Sequence, residues 1–127
     1  MSVILVPFDG SPHAFKALSI AMDLGDKYKA QVAVLTIAGE VRSDEGMQAG
    51  AALLKKAVLK MAQRQQKPVA MEVEFGLPSD CIVLAGKRLG ASTIVMGCRG
   101  AASSDDMFGS VSQAVFRKAD CTCISVK

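Results

Sequence analysis

The chain has 127 residues, half of them hydrophobic, with no tryptophan, one tyrosine and a formal net charge of +3. That length suits a single domain, residues 1–127, able to bury about two-thirds of the surface its unfolded chain exposes around an aliphatic core. The charge is mild and spread out, which argues against a nucleic-acid partner, and no run approaches the ~20 apolar residues of a membrane span.

The N-terminus lacks a basic leader and a cleavage site, so a cytoplasmic protein is expected. Residues 3–8 read as a first strand ending at Asp9-Gly10. Ser11-Pro12 supplies an N-cap and a first-turn proline, and Ala14, Ala17, Leu18, Ala21 and Leu24 recur on one helix face. Residues 31–37 form a second strand. A connection over 39–46 leads to a second helix reaching about Gln66, with an apolar stripe of Met47, Ala51, Leu54, Val58 and Met61. Its other face carries Lys55, Lys56, Lys60 and Arg64, the densest basic stretch, read as a solvated surface. Residues 69–75 alternate apolar and polar, as an edge strand does. Gly76-Leu77-Pro78-Ser79 opens a third helix that turns Ile82, Ala85 and Leu89 inward and stops at Gly90. Residues 92–96 form a fourth strand, 110 to about 119 a fourth helix, and 121–126 a fifth strand. Five strands interleaved with four helices predict an α/β class, a doubly wound parallel sheet with helices on both faces. Ligands in such sheets bind beyond the carboxyl ends of the strands, where strand order reverses.

The richest segment is 96–115. An apolar run breaks into Gly97 and Gly100, a polar loop follows, and Gly109-Ser110 opens a helical pattern. Glycines let backbone approach a bulky anion, and a helix N-terminus points N–H groups at it, so the outline is that of a phosphate cradle. Ser110 to Gln113 reads S-x-x-Q, a capping box, and the Ser110 hydroxyl serves either as that cap or as a phosphate contact. Four cysteines, at 81, 98, 121 and 123, lack zinc spacing, and His13 is the lone histidine. Cys121 and Cys123 share one strand face and are expected to be buried, reduced and structural, because a disulfide across one residue is strained. Cys98 lies in the glycine loop, where exposure near helix N-termini favours a thiolate and makes it a candidate redox sensor.

No dedicated catalytic apparatus is visible, and an enzyme is not expected. His13 is read as an exposed residue in the first turn of helix one rather than a catalytic one, and Asp9 has no second acid beside it in the sequence. A response regulator needs an acidic pair after strand one and an Asp after strand three, where this chain has Phe75-Gly76. A flavin carrier needs more aromatic residues than this chain has.

Val6-Pro7-Phe8-Asp9-Gly10-Ser11, Gly76-Leu77-Pro78, Ile94-Val95-Met96-Gly97-Cys98-Arg99-Gly100 and Gly109-Ser110-Val111-Ser112 resemble, in that order and across essentially the full chain, the universal stress protein family. The resemblance implies a sheet ordered 3-2-1-4-5, of the adenine-nucleotide alpha-hydrolase-like kind, in a stress-response homodimer joined along strand five, Thr122 to Val126. It also implies an ATP or AMP site at the strand 1/strand 4 switch point. There Pro7 and Asp9 would line the adenine and ribose end, and Ile37 would offer backbone to the adenine. Gly97, Arg99, Gly100, Gly109, Ser110 and Ser112 would surround ribose and phosphates, with Met96 and Val111 in the same nucleotide-binding site. Three departures stand out. Eight residues, not nine, separate Gly100 from Gly109; the loop carries Asp105-Asp106; and the family's usual proline in the last strand is replaced within Cys121-Thr122-Cys123. Two carboxylates beside a triphosphate repel it by about 1–2 kcal/mol unless a divalent ion such as Mg2+ bridges them. A member that binds no nucleotide and acts as an interaction scaffold is the alternative.

Overall fold

Runs of Val, Ile and Leu form strands and Ala/Leu/Met-rich amphipathic stretches form helices, in the order β1 (Val3–Pro7), α1 (Pro12–Tyr28), β2 (Gln31–Ile37), α2 (Asp44–Ala62), β3 (Ala70–Glu74), α3 (Pro78–Leu89), β4 (Ala91–Gly97), α4 (Ser110–Lys118) and β5 (Thr122–Val126). The coordinates are a computed structural model that describes residues 2–98 and 109–127. All strand pairs are parallel, and the sheet order is β3-β2-β1-β4-β5, as the resemblance implies.

The period-2 alternation of strand side chains divides the core between two faces. Ile4, Val6, Val32, Val34 and Val95 pack with α1 and α2, whereas Leu5, Ala33, Leu35, Ile94 and Met96 pack with α3 and α4. β1 sits at the centre of both layers, and Leu5 and Val6 are fully buried. On α1 the expected face holds: Ala14, Ala17, Leu18 and Ala21 are buried, and Ser11 Oγ caps the helix by accepting from Ala14 N at 3.1 Å.

α2 departs from expectation. It begins at Asp44, with Ser43 Oγ accepting from Gly46 N at 2.9 Å, and it ends at Ala62 rather than near Gln66. Its buried face is Gly50, Leu54, Ala57 and Met61, while Met47 and Ala51 of the expected stripe are exposed. The helix lies so close to β3 that a Cβ at Gly50 would stand 2.7 Å from Val73 Cγ1. At that point its inward face therefore carries the smallest residue rather than a hydrophobic one, while Leu54 and Met61 of the expected stripe stay buried. β3 is an edge strand, as its alternation predicts, and the Arg88 guanidinium of α3 holds Glu72 there with two bonds of 2.6 and 2.7 Å. No described helix is long and apolar enough to cross a membrane.

Candidate functional site

Strand order reverses beside β1: the chain leaves β1 for β2 on one side and returns to β4 on the other. The connections diverge to opposite faces, and a crevice opens beyond the carboxyl ends of the two central strands. A cleft of about 240 Å³ lies there.

The β1 exit shapes its floor. Phe8 N donates to Leu35 O at 2.8 Å, and Thr36 Oγ1 donates to Phe8 O at 2.9 Å, so β1 stays tied to β2 for one residue past Pro7. The chain then turns sharply through Gly10, at φ +79°, and Asp9 Oδ1 accepts from Ser11 N at 2.9 Å. That turn removes β1 from the flank of Ile37. Successive residues of a parallel strand send their backbone groups to opposite neighbours. Leu35 accepts from β1, and Ala38 N donates toward β3 at Glu74 O. Ile37, two residues past Leu35, therefore turns its amide and carbonyl toward the side that β1 has vacated.

The β4 exit shapes the opposite wall. A Cβ on Gly97 would lie 2.8 Å from His13 Cβ and 3.1 Å from the His13 carbonyl carbon, so its missing side chain lets β4 abut the first turn of α1. Cys98 N donates to Val126 O, and Gly109 N donates to Cys98 O, which brings the start of α4 back to the end of β4. Ser112 Oγ donates to Gly97 O at 3.0 Å, and this serine is buried.

Of the expected site residues, Pro7, Asp9, Ile37, Met96, Gly97, Gly109, Ser110, Val111 and Ser112 all line this one cleft. Arg99 and Gly100 lie outside the described residues, as do Asp105 and Asp106. Two local expectations are corrected. Ser110 does not cap α4: Gly109 is the N-cap, Gln113 N donates to Gly109 O, and no side chain among the described residues caps the turn. The hydroxyl that folds back is that of Ser112, and Ser110 is left at the helix mouth facing the cleft. Cys98 is buried rather than exposed, because its amide continues the β4–β5 ladder and turns the thiol inward. Cys121 and Cys123 are half-buried rather than buried, and all four cysteines are free thiols.

Phe8, Ser11, Ala14, Pro78 and Ile82 also line the cleft without having been expected there, as does Cys98, expected only as a redox thiol. Topology alone could have found most of them. In a parallel sheet every helix begins at the carboxyl end of the preceding strand, so the first turns of α1, α3 and α4 converge there. Asp9 and Cys98 are the titratable side chains among the described residues of the lining. Among the described residues, no group of three or more His, Cys, Asp or Glu gathers as a metal site. The lining combines apolar side chains, Pro7, Ile37, Ile82 and Met96, with polar groups from Asp9, Ser11 and the start of α4. A flat ring that also carries an anion matches both.

The sequence matches the Universal stress protein family across residues 1–127. A universal stress protein of Methanocaldococcus jannaschii is 28% identical over 142 residues, covering 98% of this chain and 81% of that protein. A solved universal stress protein of Archaeoglobus fulgidus superposes with a TM-score of 0.82 at 26% identity, covering 100% of this chain and 98% of that one. A second Archaeoglobus fulgidus structure, solved in complex with dAMP, superposes with a TM-score of 0.81 at 24% identity, again covering 100% and 98%. With the sheet order, the switch-point cleft and a match running from the first residue to the last, the chain belongs to the universal stress protein family.

Proposed function

We propose that this chain is a cytoplasmic, single-domain stress-response protein that binds ATP or AMP in the switch-point cleft and works as a homodimer through β5. The observation that carries the reading is the shared outlook of two groups onto one cavity: the backbone edge of Ile37 and the N-terminus of α4. The first suits the hydrogen-bonding edge of a purine, and the second suits a phosphate. Binding of dAMP by a protein of the same fold is consistent with that polarity. Mg2+ would enter with a triphosphate, bridging it to the Asp105-Asp106 pair of the loop. The dimer rests on β5 being a sheet edge whose segment 122–126 carries no charge, an arrangement that invites pairing with a second strand.

The acidic pair in a shortened loop supports a second reading, a protein-interaction scaffold that leaves the cleft without nucleotide. Calorimetric titration with ATP and AMP, with and without Mg2+, separates the two. Saturable binding at one nucleotide per chain upholds the proposal, and no heat with either nucleotide up to millimolar concentrations leaves the scaffold. Sedimentation equilibrium checks the dimer, and a monomer across micromolar concentrations would remove it.

A further inference from the structure

We propose that the outer edge of β3 pairs with the same edge of a second copy of this chain, the two strands antiparallel and related by a two-fold axis at Glu72. β3 is the sheet edge opposite β5, so this surface is separate from the β5 pairing and does not rest on it. Ala38 N donates to Glu74 O, and by alternation Ala70, Glu72 and Glu74 turn their backbone groups toward β2. Met71 and Val73 turn theirs outward, where they meet no partner among the described residues.

The side chains along that edge are apolar on the α2 face. Val73 abuts Gly50, and Met71, two residues earlier on the same face, is 53% exposed. Leu53 of α2 reaches the turn at Gly10, on the α1 side, so Met47, Ala51 and Val58 lie on the opposite flank of the helix, out past β3. Met47 and Ala51 are exposed, and Val58 is half-buried. This flank is the part of the α2 apolar stripe that the sheet beneath does not cover, and across the axis it would meet its own copy.

A second copy fits because the strand complements itself in one register. With the axis at Glu72, the middle of Ala70–Glu74, every residue of β3 faces a β3 residue of the second copy. Met71 and Val73 then exchange N–H···O=C bonds with Val73 and Met71 of the second copy, which satisfies the outward backbone groups of both strands. A register moved along the strand sets some of these groups against residues outside β3. Glu74 falls opposite Ala70 rather than another carboxylate. Glu72 falls opposite Glu72 of the second copy, and bare like charges there would oppose pairing. Arg88 cancels that repulsion: its guanidinium holds the carboxylate at 2.6 and 2.7 Å, so two neutral pairs meet at the axis. Charged side chains guard sheet edges against self-pairing, and the charge at the centre of this edge is neutralised within the chain.

The test is residue-resolved amide hydrogen exchange of the wild-type full chain over a range of protein concentrations up to about 1 mM. Exchange at Met71 and Val73 is expected to slow severalfold as concentration rises, a readout that depends on no variant folding. Sedimentation velocity then tests the charge argument. Met71→Lys, which sets a lysine on the edge, and Arg88→Gln, which bares Glu72 to its copy, are each expected to weaken this association at least about tenfold. The Glu72→Gln/Arg88→Gln double variant is expected to restore it. Pairing through β5 would survive all three, so the two interfaces fail separately. Exchange at Met71 and Val73 that ignores protein concentration, as when the edge takes a different strand or none, would overturn the proposal. So would an association unchanged in Met71→Lys, or one that the double variant does not restore.

Discussion

Replacing Gly97 with alanine probes the join between β4 and α1 at the edge of the cleft. The added Cβ would stand 2.8 Å from His13 Cβ, 3.1 Å from the His13 carbonyl carbon and 3.3 Å from Ala14 N, where ordinary contact begins near 3.4 Å. Two of those three atoms are backbone of the first helical turn, so no side-chain rotation relieves the crowding. Either α1 or the end of β4 must shift by several tenths of an ångström. Overpacking of this kind costs about 1–3 kcal/mol. At about 4 °C per kcal/mol for a chain of this size, a cost of about 2 kcal/mol lowers Tm by about 8 °C. Because Gly97 also lines the cleft, ATP or AMP affinity should fall about tenfold, or ~1.4 kcal/mol. Gly90→Ala is the matched control. Gly90 sits at φ +66° with nothing within 4 Å of a Cβ, so the substitution costs about 1 kcal/mol through the backbone alone. It should lower Tm by about 4 °C and leave nucleotide affinity unchanged. Thermal unfolding and calorimetry read both variants. A Gly97→Ala protein that melts with the wild type, or one that loses stability without losing affinity, would refute the reasoning.

Ser112→Ala removes the buried hydroxyl that satisfies Gly97 O, and urea unfolding should show a loss of about 1 kcal/mol. The Arg88 guanidinium holds the Glu72 carboxyl below its ordinary value of 4.5, so the pair's contribution is present above about pH 4.5 and is lost as pH falls below it. For this half-exposed pair the effect is about 0.5 kcal/mol, and unfolding curves between about pH 6 and 3 should fall less steeply for Glu72→Gln than for the wild type. Under the proposed nucleotide reading, the double variant Asp105→Asn/Asp106→Asn should tighten ATP more than AMP when Mg2+ is absent, because it removes two charges of the same sign as the phosphates. Equal affinities in wild type and variant would show the acidic pair to be remote from them.

Element order and the parallel α/β class were legible because each strand is a short aliphatic run and α1 and α3 carry their burial largely in hydrophobic side chains, whereas the strand order came from the family resemblance. The α2 stripe was misread because Gly50 takes a core position by closeness to Val73, and a glycine contributes nothing to an apolar pattern. The cap of α4 was misread for a related reason. S-x-x-Q is a local signal, whereas the Ser112 hydroxyl is claimed by a carbonyl 15 residues away, on β4. Cys98 looked exposed because it follows a glycine, but its partner, Val126 O, lies at the other end of the segment. The same limit hid Pro78 and Ile82. They reach the cleft only because α3 begins at the carboxyl edge of the sheet, a fact of topology rather than of any motif around them.

The most direct test of the central claim is a titration of uniformly 15N-labelled protein with AMP, followed through its amide resonances. The account predicts saturable shifts at Ile37, Gly97, Ser110, Val111 and Ser112, with Gly90 and Ala91, at the far end of β4, unmoved. Shifts confined to other surfaces, or none at millimolar AMP, would contradict it.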